Sequence, residues 1–268
     1  MTNVRKAVVL AAGAGSRMRR AAAEGGLSTE QAKAASSGAK AMMPLGGRPF
    51  LDFVLHGLAD AGIDEVCLVV APDHTDMLEH YSAQTATRLR IQFAVQDKPL
   101  GTAHALLAAE EFAGAHDFLL VNGDNHYPTP VLRALCEAPG PALAAFEASS
   151  LLPADLPPEA RDQRLMAYSD LLIDDAGWLE SITEKPSSPP LWVSMNCWRL
   201  GPTIFDSCQA IEPSTRGELE LPSAVLHSKE QQGQGYRALP AQGPVLDLSS
   251  RADVARVQSA LANIEVCL

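Results

Sequence analysis

Four apolar runs dominate the first half of the chain: Lys6-Ala-Val-Val-Leu10, Glu65 to Ala71, Ile91 to Gln96 and Asp117 to Asn122. None keeps a regular polar–apolar alternation, so each predicts a strand buried on both faces. Between the first two, Leu51, Val54, Leu55, Leu58 and Ala59 recur at helical spacing, and Gly62 supplies a stop. Before the fourth run, Thr102 could cap a helix carrying Leu106 and Leu107. Buried strands joined through helices run parallel, because a long crossover is what returns the chain in the same direction. The expectation is an α/β fold of three layers, α/β/α, around a mostly parallel sheet.

The second half is less regular. Ser149 to Arg164 carries Pro153, Pro157 and Pro158 and reads as an exposed excursion. Leu171 to Leu179 reads as a hairpin turning at Asp-Asp-Ala-Gly, and Trp192 to Leu200 as a strand. Ser250 and Asp253 resemble a cap for a last helix with Val254, Val257, Leu261 and Ile264 on one face. The Ala/Gly/Ser-rich stretch from Arg19 to Gly38 could be a mobile loop, a short helix, or both.

Composition narrows the partners. At 268 residues, 47% hydrophobic and 20% charged, the chain has room for one to two globular domains. Twenty-one basic against 32 acidic residues leave a net charge of −11. That surplus repels phosphodiester backbones and anionic lipid, so neither nucleic acid nor membrane is expected as a partner. A small anionic ligand would need positive charge gathered locally from a pool that includes only six lysines. Ala7 to Ala12 is shorter than the core of an export signal, and no run reaches the ~18 apolar residues of a membrane span. The five cysteines are odd in number and never form CxxC, which suits buried thiols in a reducing cytoplasm.

The first strand leads into Leu10-Ala-Ala-Gly-Ala-Gly-Ser-Arg-Met18. Gly13 and Gly15 let backbone approach a ligand, and successive N–H groups in such a turn can hold phosphate oxygens. Met18 stands where a dinucleotide fingerprint needs its third glycine, and no Gly-Lys-Ser/Thr follows as in a P-loop. Taken alone, the turn fits a structural role as well as a phosphate site.

Its company is more specific. LAAGAGSRM, AKAMMPLGGRPFLDFVL, PLGTAHALL, VNGDN and ITEKP, in this order, resemble the motifs of the sugar-1-phosphate nucleotidyltransferases. That family includes glucose-1-phosphate thymidylyl- and uridylyltransferases, and the resemblance covers about residues 5 to 250. It implies a Rossmann-like nucleotide-diphospho-sugar transferase fold in one domain over 1–268. Within it, residues to about 147 would form the nucleotide-binding half and about 148–250 a smaller sugar-phosphate half, followed by a C-terminal helix over 250–268. The implied reaction is Mg²⁺-dependent transfer of a nucleotidyl group from an NTP, UTP or dTTP first, to a sugar 1-phosphate with release of pyrophosphate. Two alternatives stay open: transfer to a non-sugar phosphate such as a cyclitol phosphate or phosphocholine, and a non-catalytic nucleotide-binding regulatory relative. A homo-oligomer is compatible with the family.

The resemblance also implies roles. Leu10, Ala11, Ala12, Gly13, Ala14 and Gly15 would surround the nucleotide. Arg17 matches the catalytic arginine on the leaving pyrophosphate, where a guanidinium can fork across two oxygens. Lys40 matches a second cation on the triphosphate side, although Ala39 replaces the usual proline and the gap from Arg17 is long. Gln96 and Gly101 match a pair that reads the nucleobase edge, with Thr102 adding a contact. Gly123 and Asp124 close the fourth apolar run, Gly123 on the sugar-phosphate side and Asp124 as a metal ligand, with Asp247 in Pro-Val-Leu-Asp-Leu as the second ligand. Glu184 would accept sugar hydroxyls, Lys185 would clamp the 1-phosphate as a catalytic cation, and Asn196 would complete the sugar pocket. A strand asparagine bonded to backbone is the alternative for Asn196. His104 and His126 read as helix and loop histidines, and Glu218 and Glu220 receive no role.

Overall fold

A computed structural model describes residues 3–13, 15–20, 27–83, 87–152 and 156–268. Its central sheet has nine strands, labelled in chain order. They are β1 (Lys6–Leu10), β2 (Glu65–Val70), β3 (Arg90–Val95), β4 (Phe118–Asn122), β5 (Ala142–Glu147), β6 (Ser169–Ile173), β7 (Leu179–Thr183), β8 (Trp192–Leu200) and β9 (Arg237–Ala241). The path runs β7-β6-β8-β4-β1-β2-β3, with β5 on the other edge of β8 and β9 beyond β5. Strands β4, β1, β2 and β3 are mutually parallel. The expectation of burial on both faces fails for β3: it is the edge strand, no residue in it is buried, and Val95 is exposed. The second half adds antiparallel pairs, because β8 runs against β4, β5 and β6.

Alternate residues of each strand enter two separate cores. Ala7 and Val9 join Val66, Leu68, Leu119 and Val121 under the helix Phe50–Asp60 and the helix Asp253–Leu261. Val8 joins Cys67, Val69, Phe118 and Leu120 under Thr102–Leu107 and Leu221–Gln232. Both faces of the sheet are thus covered, which makes the three layers expected from the sequence.

Several local expectations change. Thr102 does not cap its own helix: Gly101 holds that position, and Thr102 Oγ1 instead accepts the Leu221 N–H, capping the neighbouring helix at 2.9 Å. The last helix ends at Leu261, short of 268. Beyond it Val266 and Leu268 are buried, and the Leu268 carbonyl accepts the Thr87 N–H, so the tail is docked rather than helical. Within Arg19–Gly38, Thr29–Ser37 is a helix with a capping box between Ser28 and Gln31; residues 21–26 lie outside the described residues. The excursion after Ser149 is only partly exposed, since Leu151, Leu152 and Leu165 are buried and Pro158–Leu165 is helical. The Asp174–Trp178 turn and the β6–β7 hairpin follow the sequence reading.

Candidate active site

The carboxyl ends of β1 and β4 open into a cleft of about 410 Å³, where ligands of open α/β sheets commonly bind. Leu10, Ala11, Ala12, Gly13 and Gly15 line it on one side; Ala14 lies outside the described residues. Gly15 is needed for two reasons. Its φ is +57°, and a Cβ would meet the Gly38 Cα at 2.6 Å. The turn is therefore wedged against the end of the Thr29–Ser37 helix, which delivers Lys40 on a single 3₁₀ turn, Lys40–Met42.

Lys40 Nζ lies 3.0 Å from Asp124 Oδ2, joining an expected phosphate cation to an expected metal ligand far along the chain. Asp124 is the second residue past β4, and between them the Gly123 N–H donates to the Leu10 carbonyl. Past it, Asn125–His126 pairs antiparallel with Leu246–Asp247, setting Asp247 opposite Asn125, while the Leu248 N–H donates to the Asp124 carbonyl. This two-stranded ribbon brings the two carboxylates together. Burial, and then the charge of Asp124, push the Asp247 carboxyl up to about 6; the Ser249 hydroxyl bonded to it and Lys40 pull the other way. Two hard oxygen donors crowded this way suit a divalent cation completed by substrate phosphates and water. Among the described residues no group of three or more His, Cys, Asp and Glu forms a fuller cage. His126, in the same ribbon, is held neutral, lowered to about 4 by burial and by His56.

The far side of the cleft is the loop after β3. Gln96 is buried, its Nε2 donating to the Gly101 carbonyl at 3.0 Å and lying 3.2 Å from His104 Nδ1. Gly101 has φ +107°, and a Cβ there would meet the Leu219 backbone nitrogen at 2.8 Å. Leu219 N–H donates to the Leu100 carbonyl, and Ala103 N–H to the Leu219 carbonyl. The glycine expected to admit a ligand thus also admits the 216–220 segment.

The sugar-side residues are less gathered. Asn196 lines the cleft. Glu184 and Lys185 are exposed beyond β7 and do not line it, and Arg17 is exposed on the short helix Ser16–Arg20. Ser169 Oγ donates to Glu184 at 2.6 Å. Arg216 forks onto Glu220 at 3.1 and 2.7 Å, and Glu218 lines the cleft. Burial works against the Glu220 carboxylate, but hydrogen bonds from Ser214 and Arg216 and the charges of Arg216 and Lys185 hold its pKa below the ordinary range. Lys185 and Asn196 are the non-glycine residues with positive φ among the described residues, at 49° and 53°. Left-handed backbone at non-glycine positions concentrates at functional sites. Sequence reasoning assigned nothing to Tyr127, Ser16, His74, Met77 or Glu218, although all but Tyr127 line the cleft. Glu218 had a signal in Arg-Gly-Glu-Leu-Glu-Leu-Pro; the others carry none.

A glycine-rich turn, a paired lysine and aspartate and a second aspartate near the carboxyl ends of parallel strands make an α/β cleft whose chemistry suits phosphates and a divalent cation. The profile of the nucleotidyl transferase family matches residues 6–243, and the chain belongs to that family. It is 28% identical over 82% of its length to the low-salt glycan biosynthesis nucleotidyltransferase Agl11 of Haloferax volcanii, covering 56% of that protein. It is 28% identical to a glucose-1-phosphate thymidylyltransferase of Streptomyces griseus, again over 82% of this chain and 56% of that one. The chain thus spans little more than half the length of these two relatives. To the UTP–glucose-1-phosphate uridylyltransferase AglF of Haloferax volcanii it is 29% identical, over 82% of both chains. A UDP-glucose pyrophosphorylase solved with UDP-glucose shares the fold, with a TM-score of 0.75 at 16% identity over 97% of this chain and 98% of that one. Among the described residues no helix is long and apolar enough to cross a membrane.

Proposed function

We propose that the chain transfers the nucleotidyl group of an NTP to a sugar 1-phosphate, forming a nucleotide-sugar and releasing pyrophosphate. The observation that carries this reading is the meeting of Lys40 with Asp124, beside Asp247, at the mouth of the glycine-rich turn. The acceptor's phosphate oxygen is already anionic, so it can attack the α-phosphorus directly while the bond to the pyrophosphate oxygen breaks. No protein nucleophile or base is needed; the work is to align two anions and neutralise the charge that moves to the leaving group.

Each residue takes a share. Backbone N–H groups of the Gly13–Gly15 turn hold phosphate oxygens, and Arg17 and Lys40 balance the triphosphate. Gln96 and Gly101 face the base, with Thr102 beside them; UTP or dTTP is the favoured donor. Asp124 and Asp247 would hold Mg²⁺, which when bound supplies neutralising charge to the phosphates. Lys185 meets the acceptor phosphate, while Glu184 and Asn196 meet hydroxyls. The cleft-lining Asn196, a neutral side chain that both donates and accepts, supports a polyhydroxylated acceptor over phosphocholine. Residues to about 147 serve the nucleotide and about 148–250 the acceptor. A reducing cytoplasm is supported by Cys67, Cys136, Cys197 and Cys208, which are buried and unpaired.

The test is a matrix of UTP, dTTP, CTP, ATP and GTP against several sugar 1-phosphates, read by pyrophosphate release with and without Mg²⁺. Acceptor-dependent release with a pyrimidine triphosphate is the expected result. Release with phosphocholine alone, or none with any pair, would overturn the reading.

A further inference from the structure

Strand β8 changes partner at Asn196. Its first residues pair with β6 through Val193↔Asp170 and Ser194↔Ser169, and its last with β4 through Trp198↔Leu120 and Arg199↔Leu119. On its other edge the register with β5 shifts between Ser194 and Trp198, a bulge. Continuing the β4–β8 ladder one alternate position outward would set Asn196 opposite Asn122. A phenol stands near that place. Tyr127 Oη accepts from the Asn122 N–H at 3.4 Å, donates to the Met195 carbonyl at 2.6 Å, and lies 3.4 Å from the Asn196 carbonyl.

We infer that Tyr127 is a positioning residue that sets the acceptor side of the site against its Asp124 side. Its hydroxyl closes the Asn122–Tyr127 loop that carries Gly123 and Asp124. The same hydroxyl anchors the bulge that holds Asn196 with φ 53°. The ring is buried against Phe146, so the hydroxyl is carried by a packed side chain rather than by a mobile loop. Tyr127 does not line the cleft and touches no reacting atom; it acts through Asn196, with the Asn122 N–H at the end of β4 as the fixed point that holds its hydroxyl. An asparagine tolerates left-handed backbone better than most residues, but the carbonyls around such a kink need donors, and buried ones left unpaired are costly. Without the hydroxyl the Met195 carbonyl loses its 2.6 Å donor, and the bulge can settle into a flatter strand that turns Asn196 from the cleft.

This inference rests on the proposed transfer reaction, so wild-type activity is measured first. Absence of acceptor-dependent pyrophosphate release in the wild type would sink the reaction itself. With an active wild type, Tyr127→Phe keeps the ring and removes the hydroxyl. The expected result is a tenfold or greater fall in kcat/KM for the sugar 1-phosphate, with the NTP dissociation constant, measured without acceptor, changed less than twofold. Asn196→Ala and the double variant complete a cycle. If the phenol works through Asn196, the double variant stays within about twofold of Asn196→Ala alone. Wild-type kinetics in Tyr127→Phe, parallel losses for both substrates, or multiplying losses in the double variant would each overturn the inference. Amide hydrogen exchange in the wild type needs no variant. Adding the sugar 1-phosphate that the matrix identifies should slow exchange at Asn122 and Cys197 together, and protection of one without the other would contradict the coupling.

Discussion

Replacing Asp247 with Asn should stabilise the ligand-free protein and disable it. The Asp247 carboxyl is pushed up to about 6, first by burial and then by the charge of Asp124. An aspartate in the unfolded chain titrates near 3.9, so the gap is about two pH units, or ~3 kcal/mol. Because the unfolded chain gives up this proton first, the penalty is absent below pH ~4, grows between pH ~4 and ~6, and is complete above that. An amide has no proton to lose and can still accept the Ser249 hydroxyl. At pH 7.5 Asp247→Asn should therefore unfold at a higher temperature, by up to ~10 °C at the usual 2–4 °C per kcal/mol for a chain near this size. At pH 4 the difference should vanish. Thermal unfolding followed by circular dichroism across pH 4 to 8 measures both. Turnover by the same variant should fall at least ~100-fold, since one of two candidate cation ligands is gone. A variant less stable at pH 7.5, or a difference that does not grow between pH 4 and 6, would refute the assignment of Asp247 as a crowded site carboxylate.

Other outcomes follow from the same geometry. Lys40→Met frees Asp124 from its 3.0 Å partner, so the nucleotide-free variant should bind Mn²⁺ about fivefold or more tightly by electron paramagnetic resonance, while turnover falls; unchanged Mn²⁺ affinity would contradict the pairing. Gly101→Ala forces a side chain onto the Leu219 backbone at φ +107°, which should cost ~2 kcal/mol or more in urea unfolding and raise KM for the NTP; a neutral effect would show that the loop shifts freely. Burial pushes the Cys67 and Cys136 thiols up to about 12 and 11, and Cys197 and Cys208 are buried as well. A thiol reagent at pH 8 should therefore modify one cysteine, Cys267, in the native protein and five after denaturation; two fast-reacting native thiols would be the contrary result.

The parallel half of the fold was legible because its inner strands β1, β2 and β4 are buried on both faces and written as unbroken apolar runs, whereas the edge strand β3 is partly exposed. That residues 10–13, Gly15, Gln96 and Asp124 line one cleft was legible for the same reason, since each sits at or just past the end of such a run; their roles rest on the resemblance. Lys40 was readable by motif, but its partner was not: 83 residues intervene between it and Asp124 in the chain, and their meeting depends on tertiary packing that includes the wedge of Gly15 against Gly38. Thr102 shows a different limit, because a hydroxyl beside a helix start gives no sign of which helix it caps. Tyr127 was invisible, being a buried aromatic whose hydroxyl acts on backbone 68 residues further along the chain, in β8. Arg17, Glu184 and Lys185 match motifs yet remain exposed outside the cleft lining; their roles depend on contacts with substrates that sequence spacing cannot supply.

The most direct measurement compares pyrophosphate release by the wild type and by Asp124→Ala, purified in parallel with matched circular dichroism. Release by the wild type should require an NTP, a sugar 1-phosphate and Mg²⁺ together, and the folded variant should be at least ~1,000-fold slower. Acceptor-independent release by the wild type, or wild-type rates in Asp124→Ala, would contradict transfer at this site.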